Sequence, residues 1–335
     1  VSRALPAALV VLVASVVGAM AIGQYTLAPA TVVQVLLSAI HLAPPSGDPY
    51  AATVVLDTRL PRVVAAVLVG AGLSLAGGSY QAVFRNPLVS PGLLGVLAGA
   101  GFGAAVAIVL GWPPAARMLA TFAGGLAAVG AGIAIAGLFG RGEEGSVLLL
   151  VFGGLVSTAL FTALLSLVKF VADPAGALPD IVFWLLGSLA SVSRAQIGEV
   201  GPLLALGIAA LLYGARFLDI LTLSDDEARS LGVPAQPLRI AIIAAATVTC
   251  ALTVALSGTI GWVGLVVPHV ARLLVGPANR RLLPIAACLG AVFVLASDTL
   301  ARSVSASEIP IGIVTDLVGV VAFLLVLPRV RRGWA

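Results

Sequence analysis

The charged residues of this chain are few, and their spacing says what each could do. Residues 223–234 read LSDDEARSLGVP and set Asp225, Asp226 and Glu227 side by side. Ser224 and Glu227 have the S-x-x-E spacing of a capping box, in which each side chain satisfies a free N–H at a helix start. The acids lie at the positive end of the helix dipole, Gly232 suits a left-handed C-cap, and Pro234 stops continuation. A short, self-capped, water-facing helix is expected. Two further carboxylates fall inside apolar runs, where an unpaired charge is expensive. Asp298 precedes Arg302 by four residues, the spacing of an ion pair on one helix face. Asp316, in IVTDL, has no such neighbour and is the candidate for an ion or proton route. His269 stands alone in VPHV, and a structural role is expected of it.

The usual catalytic arrangements are missing. Lys169, the only lysine, lies in LVKF, so no G-x-x-x-x-G-K-[ST] phosphate loop is present. His41 and His269 are the only histidines and cannot form an H-E-x-x-H zinc site. No G-x-S-x-G nucleophile elbow occurs. The chain is therefore not expected to be an enzyme, nor to bind a metal or cofactor itself. Its excess of basic over acidic residues, 18 against 14, needs no nucleic acid, because membrane loops account for it. Cys250 and Cys288 both lie in apolar runs, where packing is a better reading than a disulfide.

The elements that must position these groups are membrane helices. The 335 residues are 60% hydrophobic and 10% charged, and their mean hydropathy is +1.16. Soluble domains use about 45–50% apolar residues. A bilayer core about 30 Å thick needs roughly 20 apolar residues per helix. By that measure and by loop signals the chain is a single all-α polytopic membrane domain, 1–335, with about ten spans. They are expected at 6–27, 59–84, 91–110, 117–140, 146–171, 195–217, 238–256, 260–275, 282–304 and 309–327. Arg3, the apolar run 5–22 and Ala19-Met20-Ala21 share the pattern of a signal peptide. A first spanning helix suits the many further spans better. The run 181–190 is too short to span and reads as a re-entrant or interfacial helix. Gly70, Ser74 and Gly78, and likewise Gly95, Gly99 and Gly103, form small-xxx-small ridges suited to close helix packing. With both termini cytoplasmic, twelve of the 18 basic residues face the cytoplasm, which agrees with the positive-inside rule.

Several stretches together carry a resemblance: RLPR (59–62), QAVFRNPLVSPGLLG (81–95), FWLLGSL (183–189), LSDDEARSLGVP, SGTIGWVGLVVPHVAR (257–272) and EIPIGIVT (308–315). From about residue 55 onward the chain resembles the membrane subunits of bacterial type II ABC importers, which carry ferric siderophores, haem and vitamin B12. The resemblance implies a ten-helix permease of the inner membrane that works as a homodimer, with the substrate pathway between the copies. Two separate ATP-binding cassette subunits supply ATP and Mg chemistry from below, and a periplasmic binding protein docks above. Residues 218–236 are then the coupling helices, with Ser224, Asp225, Asp226, Glu227, Ala228, Arg229, Leu231, Gly232, Val233 and Pro234 at the ATPase interface. Arg59, Arg62 and Arg302 would salt-bridge glutamates of the binding protein. Residues 180–193 would line the outer pathway through Phe183, Trp184 and Ser188, and Gly145 and Ser146 would lie at the cytoplasmic gate. Haem is the first expected cargo, since FWLLGSL and an apolar re-entrant helix suit a flat macrocycle. A ferric siderophore comes second and vitamin B12 third. The alternative is an ion-coupled secondary transporter using Asp316.

Overall fold

Apolar runs of bilayer length become long helices, and small residues decide which of them lie at the centre. The computed structural model describes residues 3–139, 147–221, 223, 225–230, 232, 234–305 and 307–331. The ten expected spans are α1 (Ala4–Ala21), α3 (Leu60–Val83), α4 (Val96–Val109), α5 (Pro114–Phe139), α6 (Val147–Val171), α8 (Arg194–Leu221), α10 (Ala235–Ser257), α11 (Val263–Val275), α12 (Asn279–Val304) and α13 (Ile311–Arg331). Between them lie α2 (Pro29–Ala39), α7 (Ala177–Leu185) and α9 (Asp225–Ser230). Among the described residues, seven helices are long and apolar enough to cross a membrane, α3 being counted together with the π-helical turn Thr53–Arg59 before it. Of the other expected spans, α4 and α11 are shorter, and residues 311–325 of α13 are counted with them.

Helix α3 is the hub, packing against α8, α10, α11 and α12. In its most apolar stretch 72% of the residues are buried, against 17% in α1, which faces outward. Lipid tails are as apolar as leucine, so helices associate here by close approach. A Cβ on Gly70 would lie 2.2 Å from the Gly290 carbonyl oxygen, and one on Gly77 1.8 Å from that of Gly264. The second ridge does the same for α4 and α5: a Cβ on Gly99 would meet the Gly124 oxygen at 2.2 Å, and one on Gly103 the Ala120 oxygen at 2.1 Å. Gly95 departs from the expected ridge. Its φ of 85° caps the 3₁₀ turn Pro91–Leu94 and opens α4.

The segment between α1 and α3, where no span was expected, holds a helix, α2, of 11 residues. Pro29 at its first turn fits a position where a missing N–H costs nothing. Across α2, the Tyr25 hydroxyl before it donates to Asp48 after it at 2.8 Å, and the Tyr50 N–H donates to the same carboxylate at 2.9 Å. These bonds, the Tyr50 one foremost, hold the Asp48 carboxyl below its usual range.

Candidate functional site

Three of the sequence stretches meet in one place. Helix α7 ends at Leu185, α10 ends at Ser257 and α13 begins at Ile311, and the irregular backbone joining them is satisfied mutually. The Ser188 N–H donates to the Ser257 carbonyl at 2.9 Å. The Ile311 and Gly312 N–H groups donate to Gly187 and Leu186 at 3.2 and 3.0 Å, and the Thr259 hydroxyl donates to Leu185. Unwound backbone at membrane depth is tolerated only when protein or a water-filled cavity surrounds it. Glycine is required for the approach: Gly187 and Gly258 have φ of 74° and 68°, and a Cβ on Gly312 would lie 2.2 Å from the Leu186 oxygen. FWLLGSL, SGTIGW and EIPIGIVT thus form one knot. Phe183 and Ser188 are exposed on it, and Trp184 is half-buried against the core.

Asp316 hangs from this knot. Its carboxylate packs over Gly261, where a Cβ would lie 2.5 Å from Oδ1. It is exposed on an outward face of α13 with Leu317, Val320 and Leu324, and no ion pair reaches it among the described residues. Nearby Trp262 is held at φ 64° and packs on Phe323, whose ring also meets the edge of His269. The His269 Nδ1 donates to the Leu265 carbonyl at 2.7 Å, and its Nε2 is buried without a partner among the described residues.

At the opposite end of α13 from its last turn, the arginines cluster. Arg62 donates through Nε to both oxygens of Asp298, at 2.8 and 3.0 Å, and through Nη1 to Glu308 at 2.9 Å. Arg302 adds its Nε at 3.5 Å from Asp298. The i,i+4 pair is present, but Arg62, 236 residues away in sequence, is the nearer partner. Arg59 and Arg302 are not surface charges: they are 6% and 7% exposed. Arg59 donates to the carbonyls of Met20, Ala21 and Tyr25, and Arg302 to that of Ala19. The physical reason is the end of α1, whose last carbonyls have no partner within the helix. The freely exposed pair at this rim is Arg194 with Asp57, at 2.9 Å.

The expected acidic helix forms as α9, a six-residue helix. Ala228 is 1% exposed and anchors it in the core, while Glu227 is exposed. Gly232 takes φ 73° after it, and Pro234 precedes α10, as the spacing suggested. Ser224, Leu231 and Val233 lie outside the described residues, as do the side chains of Asp225, Asp226 and Arg229. So do Gly145 and Ser146, the expected gate. What the motif reading overlooked is Arg85. Its Nε donates to the Leu221 carbonyl at 3.1 Å and its Nη2 to that of Leu223, so the end of α3 grips the chain just ahead of α9. Its φ of 49° marks the turn that aims it there. No group of three or more His, Cys, Asp or Glu that could hold a metal occurs among the described residues.

Residues 10–329 match the FecCD transport family. The chain is 37% identical over 325 residues to the molybdate import system permease protein of Haemophilus influenzae, covering 96% of this chain and 94% of that one. It is 41% identical to a probable iron chelatin transport system permease protein of Helicobacter pylori, over 83% of each. A solved structure described as a metal-chelate type ABC transporter in an inward-facing conformation superposes with a TM-score of 0.87 at 36% identity. That match covers 98% of this chain and 100% of the other.

Proposed function

The chain belongs to the FecCD transport family and is the permease of an ABC importer, and on that premise we propose that it passes a bulky metal chelate between two copies of itself. The observation that carries this is Asp316. A carboxylate on an outward face of a spanning helix is costly if lipid covers it, by about 2.5–3.5 kcal/mol at the bilayer centre and less toward its edge. Placed between two copies, the same face lines a hydrated pathway, and the exposed Phe183 and Ser188 join it from the knot. Both termini then lie in the cytoplasm of a bacterial inner membrane, and α9 meets one of two ATPase subunits.

Asp316 also bears on the cargo. Two copies put two carboxylates in the pathway, which oppose an oxyanion such as molybdate and the propionates of haem. A neutral ferric hydroxamate or a corrinoid meets no such repulsion. We therefore place a neutral or cationic ferric chelate first and haem after it. The binding protein docks at the arginine rim, its carboxylates competing with Glu308 for Arg62 and with the α1 carbonyls for Arg59 and Arg302.

The test is uptake in liposomes carrying the permease, its ATPase and its binding protein. ATP-driven entry of a ferric hydroxamate is expected, with little change in Asp316→Asn. The same substitution should raise entry of an anionic chelate by roughly fivefold, the worth of about 1 kcal/mol between nearby charges in water. Uptake that follows a proton gradient without ATP and vanishes in Asp316→Asn would make the chain a secondary transporter.

Arg85 gives a second expectation. Hydrogen bonds to charged groups contribute about 1.5–3 kcal/mol each. Arg85→Ala removes two beside α9, so ATP hydrolysis should continue while cargo uptake falls about tenfold or more. The ratio of chelate moved to ATP hydrolysed reads this directly. An unchanged ratio would show that α9 is held without Arg85.

A further inference from the structure

A second, cationic pocket lies apart from the knot and the arginine rim. A cavity of about 900 Å³ opens between the start of α1, the end of α8, the end of α11 and the start of α12. Arg3, Arg280 and Arg281 line it, all exposed, and no carboxylate pairs with them among the described residues. The one acidic residue on its wall, Asp219, is engaged: the Asn279 N–H and Nδ2 both donate to its Oδ1 at 2.8 Å. The site is therefore cationic. The rest of its wall is apolar, from Leu5, Leu274 and Ile285. Beyond the mouth, α1 continues this surface with exposed Leu9, Val10 and Val13.

Those two characters select one class of ligand. Three guanidiniums suit a phosphate, to which arginine presents paired donors. The apolar wall has no use in holding a soluble anion but matches an acyl chain. All four helix ends lie on the side where α8 leads into α9. Basic pockets between spanning helices on the cytoplasmic side are the usual places for anionic headgroups. We infer that this cavity holds the phosphate of an anionic phospholipid, with its acyl chains lying along Leu5 and the outer face of α1. The inference rests on the orientation given under the proposed function, with α9 in the cytoplasm, and stands apart from the cargo and from the dimer.

Native mass spectrometry of the purified full-length permease tests it, with phosphatidylglycerol and phosphatidylcholine offered together. The wild-type protein should retain phosphatidylglycerol in preference. Each arginine replaced by glutamine should weaken that preference about fivefold, as expected for a basic residue near an anionic headgroup, and R3Q/R280Q/R281Q should abolish it. L5Q/L274Q makes the exposed apolar wall polar and keeps the charges. It should lose the bound lipid while remaining monodisperse, which separates a lipid site from a general attraction of basic loops. Equal retention of the two lipids by the wild type, or an undiminished preference in L5Q/L274Q, would overturn the proposal. So would inorganic phosphate that displaces the lipid at comparable concentration, since the cavity would then be a soluble-anion site. Release of the lipid when the ATPase subunit binds would assign the arginines to that partner instead, and would overturn it as well.

Discussion

Gly77→Val will leave no recoverable folded protein in detergent extracts. The substituted Cβ would lie 1.8 Å from the Gly264 carbonyl oxygen and 2.5 Å from its carbon, so the obstacle is backbone and no rotamer relieves it. Overpacking a core commonly costs about 1–3 kcal/mol because side chains shift. Here α3 and α11 themselves must separate, and with them the contact that carries SGTIGW toward the knot. The cost should exceed that range. Gly130→Ala is the matched control: nothing lies within 4 Å of the added atom, and α5 continues through the position. Alanine favours a helix over glycine by about 1 kcal/mol, so that variant should extract and melt like the wild type or slightly better. Size-exclusion profiles and thermal unfolding of the two variants decide the matter. A monodisperse Gly77→Val protein would show that the α3–α11 contact is dispensable.

The same glycines explain why so much of the fold was legible. Apolar length marks a span, and small residues four apart mark the face on which it packs, as Gly70, Ser74, Gly99 and Gly103 do. Helix α2 escaped because its signal is of another kind. Its 11 residues are too few to span, and the prolines at 44 and 45 make the whole segment read as loop. The π-helical turn before α3 escaped as well, since no residue type in TVVLDTR announces it.

The site was legible in its parts and not in its joints. FWLLGSL, SGTIGW and EIPIGIVT could each be noticed, but the bonds from Ser188 to Ser257 and from Ile311 to Gly187 link residues 69 and 124 apart. Nothing local specifies such pairs. Arginine presents the same difficulty. Sequence places Arg59 near an outer helix end, where a charge belongs in water or on a partner. Whether it turns inward depends on a neighbour with carbonyls to satisfy, and α1 ends beside it. Arg85 is the converse case. It closes a span, as basic residues commonly do, and only the position of Leu221 and Leu223 makes it a strut for α9.

The arginine rim yields the second large effect. Asp298→Ala should destabilise the protein by about 3–5 kcal/mol, the usual cost of stripping one partner from a buried ion pair. Asp298 is 2% exposed and lies between Arg62 and Arg302, which are largely buried themselves. Without it Arg62 keeps Glu308 alone among the described residues, and Arg302 keeps its bond to the Ala19 carbonyl. Asp57→Ala is the contrast. Its partner Arg194 is 59% exposed, and pairs of that kind contribute about 0–1 kcal/mol. Salt should separate the two further, because it screens exposed charges far more than buried ones. Removing Arg62 as well should recover part of the loss, since the buried charge that Asp298→Ala strands is then gone. That double variant matters for docking. If it folds but no longer responds to a binding protein, Arg62 serves the partner as well as Asp298. If Asp298→Ala melts no lower than Asp57→Ala, the cluster is solvated and its arginines are free to dock.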